Sequence, residues 1–331
     1  MALRLIEMVL GEKDGGHVLE LLKEHKVLEH RQIRLPDGEL LVRIWLEAEQ
    51  VEEVLDFFDE PGGQGNRAVI LPVVATLPRD EAEPAASDEK PPERISREEL
   101  YEDIKDGARW TRAYMAMAVL STIAAAVGLY QNSVAIIIGA MVIAPLLGPN
   151  VALALGTTLG DLPLLRRALL TALAGIAAAT ALSVIIGALW HVDPAWSEVA
   201  SRSRVRLDDI AVALASGCAG ALAFTMGLSP ALIGVMVAVA LLPPLVTFGL
   251  LLGGGHPAPA MGALSLFLLN LICVNLAGVA TFVVQGIRPD SWWEKERAVK
   301  ATRVAIGLWV GLLAGLGGMI FLLLRNGIMP Q

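Results

Sequence analysis

Two patterns of hydrophobic and polar positions divide the chain, and they change over near residue 95. Beyond that point there are seven apolar runs, at 113–130, 133–158, 168–190, 210–228, 230–252, 261–285 and 304–324. Each is long enough for a hydrocarbon core of about 30 Å at about 1.5 Å of rise per helical residue. Seven membrane spans are therefore expected. Before residue 78 the periods are shorter. Residues 3–10 alternate as a strand, and 17–25 set Val18, Leu21 and Leu22 on one helical face. Strands at 28–35 and 40–46 flank the turn residues Pro36, Asp37 and Gly38. A second helix at 50–58 runs through Val51, Val54, Leu55 and Phe58, and 68–75 reads as a last strand. This βαββαβ order predicts a small α+β, ferredoxin-like domain over residues 1–77. The Pro- and acid-rich stretch 78–95 predicts a flexible linker. Ser96 and Glu99 then form a capping box that opens a juxtamembrane amphipathic helix over 96–112, with Trp110 and Tyr114 placed as an aromatic belt.

The run at 133–158 is interrupted by Pro145, Gly148 and Pro149, where a continuous helix tolerates them least. A shift of 95 residues lays IGAMVIAPLLGPNV, 138–151, over IGVMVAVALLPPLV, 233–246. Gly139 falls on Gly234, Pro149 on Pro244, Ser121 on Ser216 and Gly160 on Gly255, with no gap. The expectation is an α-helical multi-pass membrane protein with a repeat of three helices, 113–190 against 210–285. The second and fifth spans are each broken at proline. Three is odd, so the second copy enters from the opposite side, giving an inverted 3+3 repeat, with the seventh span and the C-terminus, 304–331, outside the symmetry. Loops 191–209 and 286–303 then lie on opposite sides. With a cytoplasmic N-terminus, Arg109, Arg112, Arg166, Arg167, Arg288, Lys295, Arg297, Lys300 and Arg303 are inside, against Arg202, Arg204, Arg206 and Arg325 outside. That asymmetry obeys the positive-inside rule and predicts the cytoplasmic (inner) membrane. The outer arginines are expected to pair locally with Asp193, Glu198, Asp208 and Asp209.

Composition narrows the function classes. A net charge of −8 argues against a nucleic-acid partner, which calls for a basic face. Cys218 and Cys273 fall inside apolar runs and read as packed thiols rather than a disulfide. His17, His25 and His30 lack metal-ligand spacing, and the turn at 11–16 reads as ordinary turn chemistry. Asp161 and His256 are equivalent in the repeat but fall on opposite sides of the membrane. No nucleophile, base and orienter come together, so neither an enzyme nor a cofactor is expected, and no metal is specified.

Within the runs there is no interior Lys, Arg, Asp, Glu or His, which disfavours a carboxylate proton relay. What remains is backbone freed by proline, together with neutral polar side chains. Freed carbonyls cannot face lipid and must meet protein, water or a ligand. Carbonyls and hydroxyls suit a cation, whereas the N-terminus of a half-helix suits an anion. The candidate pathway in the first copy is Ser121, Asn132, Ser133, Pro145, Gly148, Pro149, Asn150, Thr157 and Thr158. In the second it is Ser216, Ser229, Pro243, Pro244, Thr247, Asn270 and Asn275. For each hydroxyl the competing reading is a bond back to its own helix. Asn270 and Asn275 must find partners either as pathway or as interhelical glue.

Residues 96–149, SREELYEDIKDGARWTRAYMAMAVLSTIAAAVGLYQNSVAIIIGAMVIAPLLGP, resemble the signature of the membrane family called domain of unknown function 389. The resemblance rests above all on Leu120-Ser121, Gln131-Asn132-Ser133, Gly139-Ala140-Met141, Ala144-Pro145-Leu146 and Gly148-Pro149. It implies an integral membrane protein with a cytoplasmic N-terminal domain and brings no substrate. From the residues themselves, the expected function is a transporter or permease for a small solute or ion. Its site would lie at the bilayer midplane between the two broken helices, in a homo-oligomer regulated through the soluble domain. Two rivals stay open: an ion channel with the broken helices as filter, and a non-transporting receptor or scaffold.

Overall fold

The computed structural model describes residues 3–11, 27–36, 38–58, 68–73, 95–227, 230–287 and the single positions 307, 311, 314, 315, 317 and 318. The helix expected at 17–25 with His17 and His25, most of the turn at 11–16, Asp37, the linker to residue 94, Ser229 and residues 288–303 lie outside them. So does the seventh run apart from those single positions. The chain divides into two units, Met1–Leu100 and Tyr101–Gln331.

The first unit is built on a four-stranded antiparallel sheet of β1 (Leu3–Leu10), β2 (Glu29–Arg34), β3 (Leu40–Glu47) and β4 (Ala68–Val73), in the order β2-β3-β1-β4. Ile6 stands opposite both Ile44 and Ile70. The period of two turns Ile6, Met8 and Leu10 to the same face as Val42, Ile44 and Leu46, and there they pack with Val51 and Val54 of α1 (Val51–Phe58). β3 lies between β1 and β2, so the chain skips a strand in passing from one to the other. The Glu99 amide donates to Ser96 Oγ at 3.3 Å, and Arg4, only 8% exposed, donates twice to the Glu99 carboxylate at 2.9 Å.

α2 (Arg97–Gly107) leads into the second unit. There follow α3 (Arg112–Tyr130), α4 (Val134–Ile143), α5 (Leu147–Leu159), α6 (Leu162–Leu189), α7 (Ser197–Ser201), α8 (Leu207–Thr225), α9 (Pro230–Gly253) and α10 (Pro257–Val284). Among the described residues, α3, α6, α8 and α10 are long and apolar enough to cross a membrane. The pair α4 and α5, bent by 54°, makes a fifth if it counts as one span. The protein is thus a mostly helical membrane protein with a small N-terminal antiparallel sheet.

The bend has a local cause. A residue before proline is driven out of the right-handed helical region, and Ala144, before Pro145, is extended at φ −73° and ψ 125°. Pro149 plays no part in the break. It sits in the first turn of α5, where its missing N–H would have had no intrahelical partner. The second break expected from the prolines is not formed: α9 runs as helix from Pro230 to Gly253 through Pro243 and Pro244. Those two are the counterparts of Gly148 and Pro149 (148 + 95 = 243, 149 + 95 = 244), which also lie within a helix. The counterpart of Pro145 is Ala240 (145 + 95 = 240), and alanine has no ring to expel its predecessor.

Elsewhere the offset of 95 recurs in the backbone. The bounds of α3 become those of α8 (112 + 95 = 207, 130 + 95 = 225), and the bounds of α6 become those of α10 (162 + 95 = 257, 189 + 95 = 284). Asn132 (φ 54°) maps onto Gly227 (φ 66°), and Gly160 (φ 70°) onto Gly255 (φ 79°), all in the left-handed region. α6 starts six residues before its apolar run because Asp161 caps it, accepting from the Leu164 amide at 2.9 Å, with Pro163 in the first turn. Tyr114 does not join an exposed belt: it is 6% exposed and its hydroxyl donates to Thr171 O at 3.0 Å. Trp110 is exposed. At the other end of α3, the Tyr130 ring packs tilted against Trp190 and edge-on to Trp196, with centroids at 5.1 and 5.4 Å.

Candidate functional site

Below the bend, the first turns of α5 carry Asn150, which is 3% exposed. Its Nδ2 donates to Leu146 O at 2.7 Å. Facing it from α10 is Asn275, which is fully buried and donates through Nδ2 to Asn150 Oδ1 at 3.0 Å and to Leu271 O at 2.9 Å. Backbone carbonyls can only accept, so Leu146 O and Leu271 O fix which way round both amides stand. The result is a polarised pair whose last atom, Asn275 Oδ1, is a buried acceptor with no donor among the described residues.

Beside Asn150 lies a small cavity walled by Ala154 of α5, Gly217 and Ala221 of α8, and Gly278 and Phe282 of α10. It leaves about 10 Å³ for the centre of a water-sized sphere, close to the smallest volume that holds one water. Glycine lets the helices meet here. A Cβ on Gly217 would lie 2.6 Å from Val274 O, and one on Gly278 would lie 3.0 Å from Ala154 Cβ. A second close contact pairs Ser183 of α6 with Gly249 of α9, where a Cβ would overlap the serine hydroxyl. The two contacts exchange under the same offset: 183 + 95 = 278, and 249 − 95 = 154.

The start of α5 is also covered. A Cβ on Gly148 would overlap the Gly107 carbonyl at the end of α2, so that carbonyl lies against the first turn of the half-helix. Thr171 Oγ1 donates to Ala108 O at 2.9 Å, tying the same corner to α6. One helical turn and a half earlier, Tyr101 Oη donates to Asp161 Oδ2 at 2.6 Å. Burial, and after it the bond to Asp161 and its charge, push the Tyr101 hydroxyl up to about 12.

The other expected residues sit apart from this pair. Ser121 and Thr158 bond back to Ala118 O and Ala154 O of their own helices. Asn132 serves the turn between α3 and α4, accepting from Ser197 Oγ at 3.0 Å and the Glu198 amide at 2.9 Å, and so holds the start of α7. Ser133 precedes α4 without capping it through its side chain. Thr157 is buried on α5, Ser216 half-buried on α8 and Asn270 buried on α10. Thr247 is buried on α9 with no partner for its hydroxyl among the described residues. Pro243 and Pro244 are buried within α9. Of the arginines expected outside, Arg202 pairs with Glu198 at 2.6 Å and Arg206 with Asp208 at 3.0 Å. Among the described residues no group of three His, Cys, Asp or Glu could hold a metal. Gly107, Gly217, Gly278 and Tyr101 are the site residues that sequence reasoning missed. In a Gly- and Ala-rich background a packing glycine carries no local signal.

A family model described as Domain of unknown function (DUF389) matches residues 141–276. Uncharacterized protein MJ0678 of Methanocaldococcus jannaschii is 40% identical over 262 residues, which is 79% of this chain and 81% of that protein. No solved structure matches the chain.

Proposed function

The chain belongs to the family described as Domain of unknown function (DUF389), and from its geometry we propose a transporter or permease for a small solute or ion. One observation carries the reading. The break at Pro145 delivers Asn150 against Asn275 inside an apolar helical unit, and one amide oxygen of the pair has no partner among the described residues. A buried acceptor without a donor costs about 1–3 kcal/mol, a burden that a site visited by a ligand relieves and a purely structural bundle would have no reason to carry.

The shared offset of helix bounds, left-handed positions and exchanged contacts supports an inverted repeat. In such repeats substrate sites form where discontinuous helices meet the other half. Because α9 is continuous, the site in this reading moves from between two breaks to the single break and α10. The N-terminal sheet domain would sense a ligand or join protomers of a homo-oligomer, on the cytoplasmic side of the inner membrane.

Full-length protein reconstituted in liposomes should move some members of an ion and small-metabolite panel, with saturation and counterflow. Asn150→Ala should lower that flux at least tenfold while the protein elutes as wild type. Single-channel currents would replace the carrier by a channel. Folded protein that moves nothing across a broad panel would sink transport and favour a receptor or scaffold.

A further inference from the structure

The same corner of the molecule offers two opposite ligand chemistries. A half-helix N-terminus attracts anions through its free amides and dipole, whereas an unmatched amide oxygen attracts a cation or a hydrogen-bond donor. The first of these is already answered. The carbonyl of Gly107, at the negative end of α2, lies against Gly148 in the first turn of α5, and Pro149 contributes no N–H at all. The second is open. Both amide orientations are dictated by backbone carbonyls, so rotating either side chain to offer Asn275 Nδ2 in place of Oδ1 would set oxygen against oxygen.

We infer that the Asn150–Asn275 pair is a contact site for a small monovalent cation, an alkali ion or ammonium, through Asn275 Oδ1; this rests on the transport reading above. Three further observations set the class. The spans carry no interior carboxylate, and divalent ions in proteins take charged carboxylates among their oxygens. Neutral amide and carbonyl oxygens suit a single positive charge. A cavity lined by Asn150 and by Val274, the residue before Asn275, has room for about one water, which restricts an occupant there to a largely dehydrated ion or a compact ammonium rather than an organic cation. Asn150 Oδ1, which accepts only one bond, has a lone pair left to join the shell.

The test is thermal unfolding of the full-length protein in detergent, titrated with NaCl, KCl and NH4Cl against choline chloride, and with sodium salts of several anions. Stabilisation should follow the cation and ignore the anion. Asn275→Ala should weaken the apparent affinity at least tenfold. Asn275→Asp, which keeps an acceptor but loses the Nδ2 bonds to Leu271 O and Asn150 Oδ1, should melt lower than wild type in choline chloride and gain more from added cation, and this separates loss of the oxygen from loss of the fold. Stabilisation that tracks the anion, equal affinity in Asn275→Ala, or a buried water as sole occupant with no cation dependence would each overturn the inference. Liposome flux separates the two levels. Flux of neutral or anionic solutes without cation dependence leaves transport standing and removes this site. Cation binding without any flux does the reverse.

Discussion

The stretch around Pro145 and the one around Ala240 align at an offset of 95 residues, and they fold differently. In the first, α4 ends at Ile143, the chain crosses an extended Ala144, and α5 sets off at 54°. In the second, α9 continues through the equivalent point. The segments share a proline at 149 and 244, yet the shared proline breaks neither. What differs is whether a proline stands four residues earlier, at 145, since Pro149 falls in the first turn of α5 and Pro244 stays within α9. A proline inside a helix costs about 3 kcal/mol, and at Pro145 the chain avoids that cost by ending α4. The buried amide pair is reachable only because of this choice, since the bend is what turns Asn150 toward α10.

The comparison breaks most decisively at position 145. Pro145→Ala should let helix run through 144–146, favoured by about 3 kcal/mol locally. Pulsed dipolar distances between spin labels on α4 and α5 should lengthen, and any flux should fall at least tenfold. Ala240→Pro should not reproduce the first copy. It places a proline among the tightly packed turns of Leu241, Leu242 and Leu245, each about 1% exposed, and should destabilise the protein by about 3 kcal/mol. Thermal unfolding that left the variant as stable as wild type would mean that the two segments are more alike than their backbones.

Glycines refine the comparison at lower amplitude. Gly148 has no space for a methyl group because of the Gly107 carbonyl, whereas Gly139, on α4, has nothing among the described residues within 4 Å of where a Cβ would stand. Gly148→Ala should therefore destabilise by about 1–3 kcal/mol through overpacking. Gly139→Ala should be neutral or stabilise by up to about 1 kcal/mol through helix propensity. Equal melting temperatures for the two variants would show that α2 does not seat on the bend.

These residues also mark what could be read in advance. The sheet was legible because its pattern is local: a period of two over residues 3–10 and 40–47 leaves little choice of face. The repeat drew attention to residues that the copies share, and so to Pro149 and Pro244, while the bend comes from Pro145, which they do not share. Asn150 and Asn275 were each legible as amides needing partners. Their pairing, across 125 residues of sequence, depends on how α5 and α10 pack, and no local pattern records that. The Gly107 contact is invisible for the same reason.

The last difference lies at the starts of α6 and α10. Asp161 caps α6, while its counterpart His256 (161 + 95 = 256) gives α10 no side-chain cap. His256→Asp should stabilise by up to about 1 kcal/mol and Asp161→Ala should cost about 1 kcal/mol. Asp161 has a second duty that His256 lacks, since it receives the Tyr101 hydroxyl at 2.6 Å. The hydroxyl is pushed up from its ordinary 10.0 to about 12, so the folded state favours the neutral form. That contribution is whole below pH 10, shrinks as pH climbs from 10 to about 12, and is gone above. Asp161→Asn keeps an acceptor for the cap but removes the charge, so Tyr101 should ionise closer to 10 while the melting temperature at neutral pH barely moves. Difference absorbance of tyrosinate, against Tyr101→Phe as blank, reads this directly. An unchanged titration in Asp161→Asn would assign the shift to burial alone, and would reduce the asymmetry between the two helix starts to a cap present in one and absent in the other.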